Sequence, residues 1–121
     1  MDDGDYDIDE NIFEKFKQVE AEGKPILLFM HIPLYSEHVC EWERKYTLCS
    51  PPRFFENCHP VDVYERKPEE STCRIVEYIR NCPLVKCVLA GHTHHNDEIL
   101  GKGEIDQIIT GCDTIREITV I

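Results

Sequence analysis

The sequence contains no long apolar run and no basic leader segment. A membrane-spanning helix needs about 20 consecutive apolar residues, and a secretory signal starts with basic ones. The chain of 121 residues has neither, and six of its first ten side chains are acidic. These absences predict a cytoplasmic protein without a membrane partner. Because like charges repel one another, the acidic stretch 1–8 is expected to fray.

Basic residues are scarce as well. The chain has 13 Lys and Arg against 24 Asp and Glu, which gives a formal net charge of −11. Non-specific binding of DNA or RNA depends on a basic surface, so no nucleic-acid partner is expected. A small anionic substrate is still compatible with this charge, because bound divalent cations reverse the local field.

The sequence also lacks a Cys-x-x-Cys pair, although it holds seven cysteines. An odd number of cysteines in a chain without a secretory signal predicts reduced thiols. Cys40, Cys49 and Cys58, with His59 beside the last, do not have the spacing of a zinc finger or zinc ribbon. A zinc site built on these cysteines is therefore not the favoured interpretation.

Hydrophobic periodicity predicts an α/β arrangement in the first three quarters of the chain. Apolar residues at helical spacing predict one helix from about Asp9 to Gly23 and a second over residues 68–82. Continuous apolar runs over residues 25–31 and 85–90 predict buried strands. The order strand, loop, helix, strand is typical of two parallel neighbours joined by a right-handed crossover.

The remaining segments complete a single predicted domain over residues 1–121. Three short stretches rich in Ile and Thr, at residues 98–100, 105–110 and 114–120, are separated by glycine-containing turns and predict an antiparallel meander. Residues 32–67 contain several prolines and no clear periodicity, so this long loop is expected to shape a binding pocket.

Histidines follow both predicted parallel strands. His31 comes at the end of the first strand, and His92 and His94 follow the second, directly after Gly91. Neutral imidazole is a common metal ligand, and ligands collect at the carboxyl ends of parallel strands. We therefore predict that His31, His92 and His94 converge on a metal site, with Gly91 allowing a turn where a Cβ would clash. The alternative is that they are ordinary solvated loop histidines.

Three further residues are candidates for contact with substrate. His38 and Arg53 lie in the long loop, and His95 directly follows His94. A cation or an imidazole N–H at such positions can bind a phosphate group. For His95 an exposed ring without a role is an equal alternative, and the aromatic residues of the loop are better explained as anchors to the core.

The histidine segments resemble a known family. His31-Ile32-Pro33 and Gly91-His92-Thr93-His94 are similar to the last two motifs of the calcineurin-like metallophosphoesterases. The resemblance covers the chain from about Ile26 to its end. It implies the C-terminal half of an α/β/β/α sandwich, with two parallel strands, two helices and a C-terminal antiparallel meander.

The resemblance also implies a function. The family hydrolyses phosphoesters at a binuclear centre of manganese, iron or zinc, so a small phosphoester substrate is expected. By this resemblance, His31 and His92 bind one metal ion, and His94 binds the other.

The upstream motifs of the family are absent from the sequence. No Asp-x-His, Gly-Asp-x-x-Asp or Gly-Asn-His-Asp/Glu occurs, so the bridging carboxylate, the asparagine ligand and the histidine that resembles the proton donor are missing. The chain is therefore expected to be a C-terminal portion, inactive alone, that associates with a missing N-terminal half or with a second copy. The alternatives are a non-catalytic metal-binding module and a protein-interaction module.

Overall fold

A computed structural model of the chain describes residues 1, 3, 6–55 and 68–121. It has a mixed α/β fold, which confirms the predicted class. Within these residues the helices are α1 (Glu10–Glu20) and α2 (Glu70–Asn81), with 3-10 helices at Glu41–Tyr46 and Pro52–Phe55. The strands are β1 (Ile26–Phe29), β2 (Val85–Ala90), β3 (Asp97–Ile99) and β4 (Asp106–Ile109).

The four strands form one mixed sheet in the order β1-β2-β4-β3. Strands β1 and β2 are parallel, with Leu28 opposite Val88. This pairing confirms the prediction that the first two strands are parallel neighbours. Their carboxyl ends consequently lie at the same edge of the sheet, which is where the predicted histidine ligands begin.

The predicted C-terminal meander is only partly correct. Strands β3 and β4 pair antiparallel, as expected, but β4 also pairs in parallel with β2 and so lies inside the sheet. Residues 114–120 form no strand. The physical reason is that β4 is already hydrogen-bonded to β2 on one side and to β3 on the other, so it has no free edge for another strand. The side chains after Gly111 are also mostly exposed. Ile115, for example, is 100% exposed.

The two helices cover one face of the sheet. Asp9 caps α1 through a 2.7 Å hydrogen bond from the amide of Asn11 to its side chain, and the predicted left-handed residue after the helix is Gly23, at φ 70°. The buried side chains of both helices share one core with alternate residues of β1 and with several residues of β2. These residues include Phe13, Phe16, Ile75, Val76, Ile79, Ile26, Leu28, Val85 and Val88.

The opposite face of β1 is open. Leu27 is 38% exposed and Phe29 is 65% exposed, although both are apolar residues in a strand. Towards the β3 edge of the sheet, a second, smaller core contains Val39, Ile99 and Ile109. The sheet is thus covered unevenly, with helices packed against one face and an apolar surface left on the other face of β1.

The described part of the long loop, residues 32–55, is tied back to the sheet. Leu34 and Leu48 form an isolated parallel bridge, and the amide and carbonyl of Leu34 bond to the side chain of Gln107 over 2.9 and 3.0 Å. Gln107 is itself buried in β4. The rest of the predicted loop, residues 56–67, lies outside the described residues. Among the helices described, none is both long and apolar enough to cross a bilayer.

Candidate metal centre

His31 and His92 lie just beyond the carboxyl ends of β1 and β2, and their rings face each other. Nε2 of His31 is 3.1 Å from Nδ1 of His92, and the ring centroids are 4.9 Å apart. The backbone aligns the two residues, because the amide of Gly91 donates to the carbonyl oxygen of His31 over 3.1 Å. The fold therefore brings together two of the three predicted metal ligands.

The facing nitrogens have the separation of two ligands on one cation. Imidazole nitrogens bind zinc at about 2.0–2.1 Å, so two of them on one ion stand about 2.9–3.4 Å apart between right-angled and tetrahedral geometry. The observed distance of 3.1 Å lies in this range. The separation therefore matches that of two ligands on one ion, and it is equally the length of a hydrogen bond between the two rings.

His94 is exposed and affects the pair through its charge. Burial lowers the pKa of His92, and the neighbouring His31 and His94 lower it further. A lowered pKa favours neutral imidazole, which is the form that binds metals. Within residues 1, 3, 6–55 and 68–121, however, no three His, Cys, Asp or Glu side chains are grouped to hold a metal ion. The structure thus does not bring His94 into such a group with the other two histidines.

The histidine loop has an unusual backbone. His92 has φ 65° and His94 has φ 64°, both in the left-handed region that most residues avoid. Between them, the amide of Thr93 donates to the carbonyl of Gly91 over 2.7 Å. Histidine is one of the residues that enter this region more often than most, so the loop places imidazoles where few other side chains fit well.

The predicted role of Gly91 is wrong. A Cβ at this position would meet the carbonyl oxygen of Thr110 at 3.7 Å, which is an ordinary contact. The close approach occurs at Gly111, where a Cβ would lie 3.1 Å from the carbonyl oxygen of His94. The glycine needed for close packing against the histidine loop is therefore Gly111, after β4. The left-handed backbone conformations in the loop itself belong to His92 and His94.

Two residues of the acidic N-terminal segment contact the histidine pair. The hydroxyl of Tyr6 lies 2.7 Å from Nε2 of His92, and the carboxylate of Asp3 accepts hydrogen bonds from the amides of His31 and Ile32. Asp3 is fully buried. Burial raises the pKa of its carboxyl group, and the two amides, first that of Ile32, oppose the rise.

Sequence reasoning missed Asp3 and Tyr6. The expectation that residues 1–8 fray is wrong for Asp3, Tyr6 and Ile8, which are all buried. The available signal was the alternation of Tyr6 and Ile8 within the acidic run, because an apolar residue at every second position indicates one buried face. The charge density of the segment concealed this signal.

The three predicted substrate-contact residues each have different partners in the structure. His95 packs edge-on against Trp42, with ring centroids 4.4 Å apart, and its Nδ1 is 3.0 Å from the carbonyl of Thr93 and 3.2 Å from the carboxylate of Glu43. Glu43 is 1% exposed, and burial raises its pKa. His95 therefore has a packing and electrostatic role in the loop.

Arg53 and His38 belong to the long loop. A guanidinium nitrogen of Arg53 lies 2.9 Å from the carboxylate of Glu37 and 3.1 Å from the hydroxyl of Tyr35. The Tyr35 hydroxyl, and after it Arg53, lowers the pKa of Glu37. His38 is exposed, and its amide donates to the hydroxyl of Ser36 over 3.0 Å. These contacts give Arg53 a carboxylate partner, and whether it or His38 reaches a substrate stays a prediction.

No protein-family model, no curated protein and no solved structure matches the chain.

Proposed function

We propose that the chain is part of a metal-dependent phosphoester hydrolase of the calcineurin-like type and that it supplies two histidine ligands of the metal centre. The observation that carries this proposal is the 3.1 Å approach of Nε2 of His31 to Nδ1 of His92 at the ends of parallel strands. Two neutral nitrogens at this distance suit a shared divalent cation.

The surroundings of the pair support the same function. His31 and His92 would hold a divalent ion through neutral nitrogens, which would leave its positive charge available to polarise a phosphoryl oxygen and to acidify water. Tyr6 holds Nε2 of His92, so that the ring offers Nδ1 to a cation. Asp3 fixes the backbone of His31 through the amide bond of 2.9 Å. The chain thus orients two ligands and leaves the bridging carboxylate to be supplied elsewhere.

The sheet supports the proposed half-sandwich. Helices α1 and α2 cover one face, and the apolar side chains of Leu27 and Phe29 are exposed on the other. An exposed apolar patch is usually an interaction site. A second sheet packed on this face would bury both side chains, as the α/β/β/α sandwich requires.

The first test is metal binding. Titration of the chain with Mn²⁺ or Zn²⁺, followed by calorimetry, is expected to give one ion per chain. Each of His31→Ala and His92→Ala is expected to weaken binding at least tenfold, because either change removes one of the two facing nitrogens. His38→Ala is the matched control, since His38 is an exposed histidine in the loop after β1 and the substitution keeps the bond from its backbone amide to Ser36. Equal affinity in all three variants would contradict the proposal.

The second test is turnover. The chain alone is expected to hydrolyse neither p-nitrophenyl phosphate nor its bis ester with added Mn²⁺, whereas a gene product that also carries the three upstream motifs is expected to do so. His92→Ala in the longer product should remove this activity. Metal binding without turnover in both forms would favour the second candidate function.

That second candidate is a metal-binding module without catalysis. It is favoured by the composition of the site, since two imidazoles meet there and the described residues add no third group to hold a metal ion. This module would bind an ion together with a partner chain that provides the other ligands.

A further inference from the structure

A pair of free cysteines brings together α2 and the segment that follows the first 3-10 helix. Sγ of Cys49 is 3.6 Å from Sγ of Cys73, and neither cysteine is in a disulfide. The two residues are 24 positions apart in the sequence. The contact is therefore made by the fold and not by local chain geometry.

The two thiols differ in their access to solvent. Cys73 is exposed in the first turns of α2, whereas Cys49 is partly buried. Burial raises the pKa of Cys49, and the nearby Cys73 raises it further. A raised pKa leaves Cys49 as a thiol, so the exposed Cys73 is the one that a dissolved oxidant meets first.

The separation is short enough for bond formation. A disulfide has an S–S bond of about 2.05 Å, so the sulfurs need to approach by about 1.5 Å from 3.6 Å. Cys73 is on a helix surface, where rotation of an exposed side chain supplies a movement of this size.

We propose that Cys49 and Cys73 are a peroxide-responsive thiol pair that forms an intramolecular disulfide. In the first step the Cys73 sulfur attacks a peroxide oxygen, an S–O bond forms, the O–O bond breaks, and water is released after proton transfer. In the second step the Cys49 sulfur attacks the Cys73 sulfur, the S–S bond forms and the S–O bond breaks, and the thiol proton of Cys49 leaves with the hydroxyl group as a second water. Two thiols are oxidised and one hydrogen peroxide is reduced to two waters.

The disulfide would fasten α2 to the segment that follows His31. Cys49 directly follows Leu48, whose amide donates to the carbonyl of Pro33 over 2.8 Å and whose carbonyl accepts the amide of Tyr35 over 2.9 Å. Oxidation would therefore link the helix covalently to the backbone beyond the first histidine. This inference does not rest on the proposed phosphoester chemistry.

Tryptic mapping tests the pair directly, because cleavage after Lys and Arg, except before Pro, leaves each of the seven cysteines on its own peptide. The folded chain is treated with a few equivalents of hydrogen peroxide, alkylated with iodoacetamide and digested without reduction. We expect peptide 46–53 to be cross-linked to peptide 67–74, and the count of free thiols to fall by two. The same treatment in urea is expected to give a mixture of pairings.

Variants distinguish the residue that reacts with peroxide, Cys73, from the residue that then forms the disulfide, Cys49. With Cys49→Ser, Cys73 should stop at the sulfenic acid and be trapped by dimedone, whereas Cys73→Ser should form neither the sulfenic acid at that site nor the cross-link. Cys112→Ser is the matched control, because Cys112 is an exposed cysteine whose loss should leave the cross-link unchanged. Circular dichroism verifies that each variant is folded.

Three results would overturn the inference. They are an undiminished thiol count in the folded wild-type chain, a cross-link from peptide 67–74 to any peptide other than 46–53, and a cross-link between two chains that increases with protein concentration. The wild-type mapping alone decides among these, so the proposal stays testable even if a variant fails to fold.

Discussion

The carboxylate of Asp3 accepts the backbone amide of His31 over 2.9 Å. Its second oxygen accepts the amide of Ile32 over 2.8 Å. These two bonds satisfy the donors of the chain at the point where it leaves β1. Because buried amides need partners, an acidic residue from the N-terminal segment fixes the conformation of the first histidine of the site.

Replacing Asp3 with Ala is expected to lower the free energy of unfolding by about 1–3 kcal/mol, since two amides lose a charged acceptor. The loss of stability is limited because the substitution also removes a carboxylate that is costly to bury, as the raised pKa of Asp3 indicates. Urea denaturation measures the change, and Asp113→Ala, at an exposed position, is the control. Identical midpoints for Asp3→Ala and the wild type would show that the two bonds contribute nothing.

The Tyr6 hydroxyl is expected to set metal affinity through His92. A metal-bound imidazole usually has its second nitrogen held by a hydrogen bond, and loss of this bond typically weakens metal binding about 10–100-fold. Tyr6→Phe keeps the ring, whose centroid is 5.4 Å from that of His92, and removes the 2.7 Å contact. We therefore expect a 10–100-fold rise in the Kd for Zn²⁺ or Mn²⁺.

Calorimetric titration measures this effect, and Tyr78→Phe provides the control. The Tyr78 hydroxyl donates to Glu20 over 2.6 Å, so its removal also deletes one tyrosine hydrogen bond but not one to His92. If both variants bind the ion as the wild type does, the hydroxyl of Tyr6 does not orient a ligand.

Glu43→Gln is expected to stabilise the protein near pH 7 by about 1 kcal/mol, because a neutral amide is less costly to bury than a carboxylate. In the described residues neither oxygen of Glu43 accepts a well-formed hydrogen bond, although Nδ1 of His95 is 3.2 Å from one of them. The gain is reduced by the electrostatic effect of His95, which lowers the pKa of Glu43. Glu41→Gln, at an exposed position of the same 3-10 helix, is the control.

The effect of Glu43 depends on pH. Burial raises its folded-state pKa above the ordinary 4.5. Its stabilising contribution is therefore fully present below pH 4.5 and is lost as the pH rises through the raised pKa. The wild type and Glu43→Gln should converge in stability at acidic pH and diverge above it, as measured by urea denaturation at several pH values. A difference that is the same at every pH would contradict the assignment.

Residues 114–120 form no strand, so substitutions there are expected to have little effect on stability. Ile115 is 100% exposed and Ile109 in β4 is fully buried. Ile115→Ala is expected to change the free energy of unfolding by less than about 0.5 kcal/mol. Ile109→Ala, the matched substitution in the core, is expected to cost about 2–5 kcal/mol. A large loss from Ile115→Ala would mean that this segment packs after all.

Local patterns predicted the elements that bury one regular face. The stripe of Ile75, Val76 and Ile79 identified α2, and the apolar run over residues 85–90 gave both ends of β2. Parallel pairing of β1 with β2 also followed, since a helix between two strands favours a crossover. These predictions succeed because the buried face of a regular element requires apolar residues at regular spacing in the sequence.

The other features depend on contacts between distant segments. Residue preferences in a short strand depend on its neighbours and do not specify which strands it pairs with, so nothing local to β4 indicated that it would lie between β2 and β3. Asp3 and Tyr6 reach His31 and His92 from positions 28 and 86 residues away, respectively. Such contacts have no period, and only the assembled fold brings them together.

The left-handed backbone at positions 92 and 94 limits which residues can evolve there. β-branched side chains are strongly disfavoured at such angles, whereas Gly, Asn and Asp are accepted readily. A library randomised at both positions and screened for folding alone should be enriched in these three residues and depleted of Val and Ile. Selection for a stable loop would then tolerate histidine at these two codons but prefer glycine, which has no Cβ.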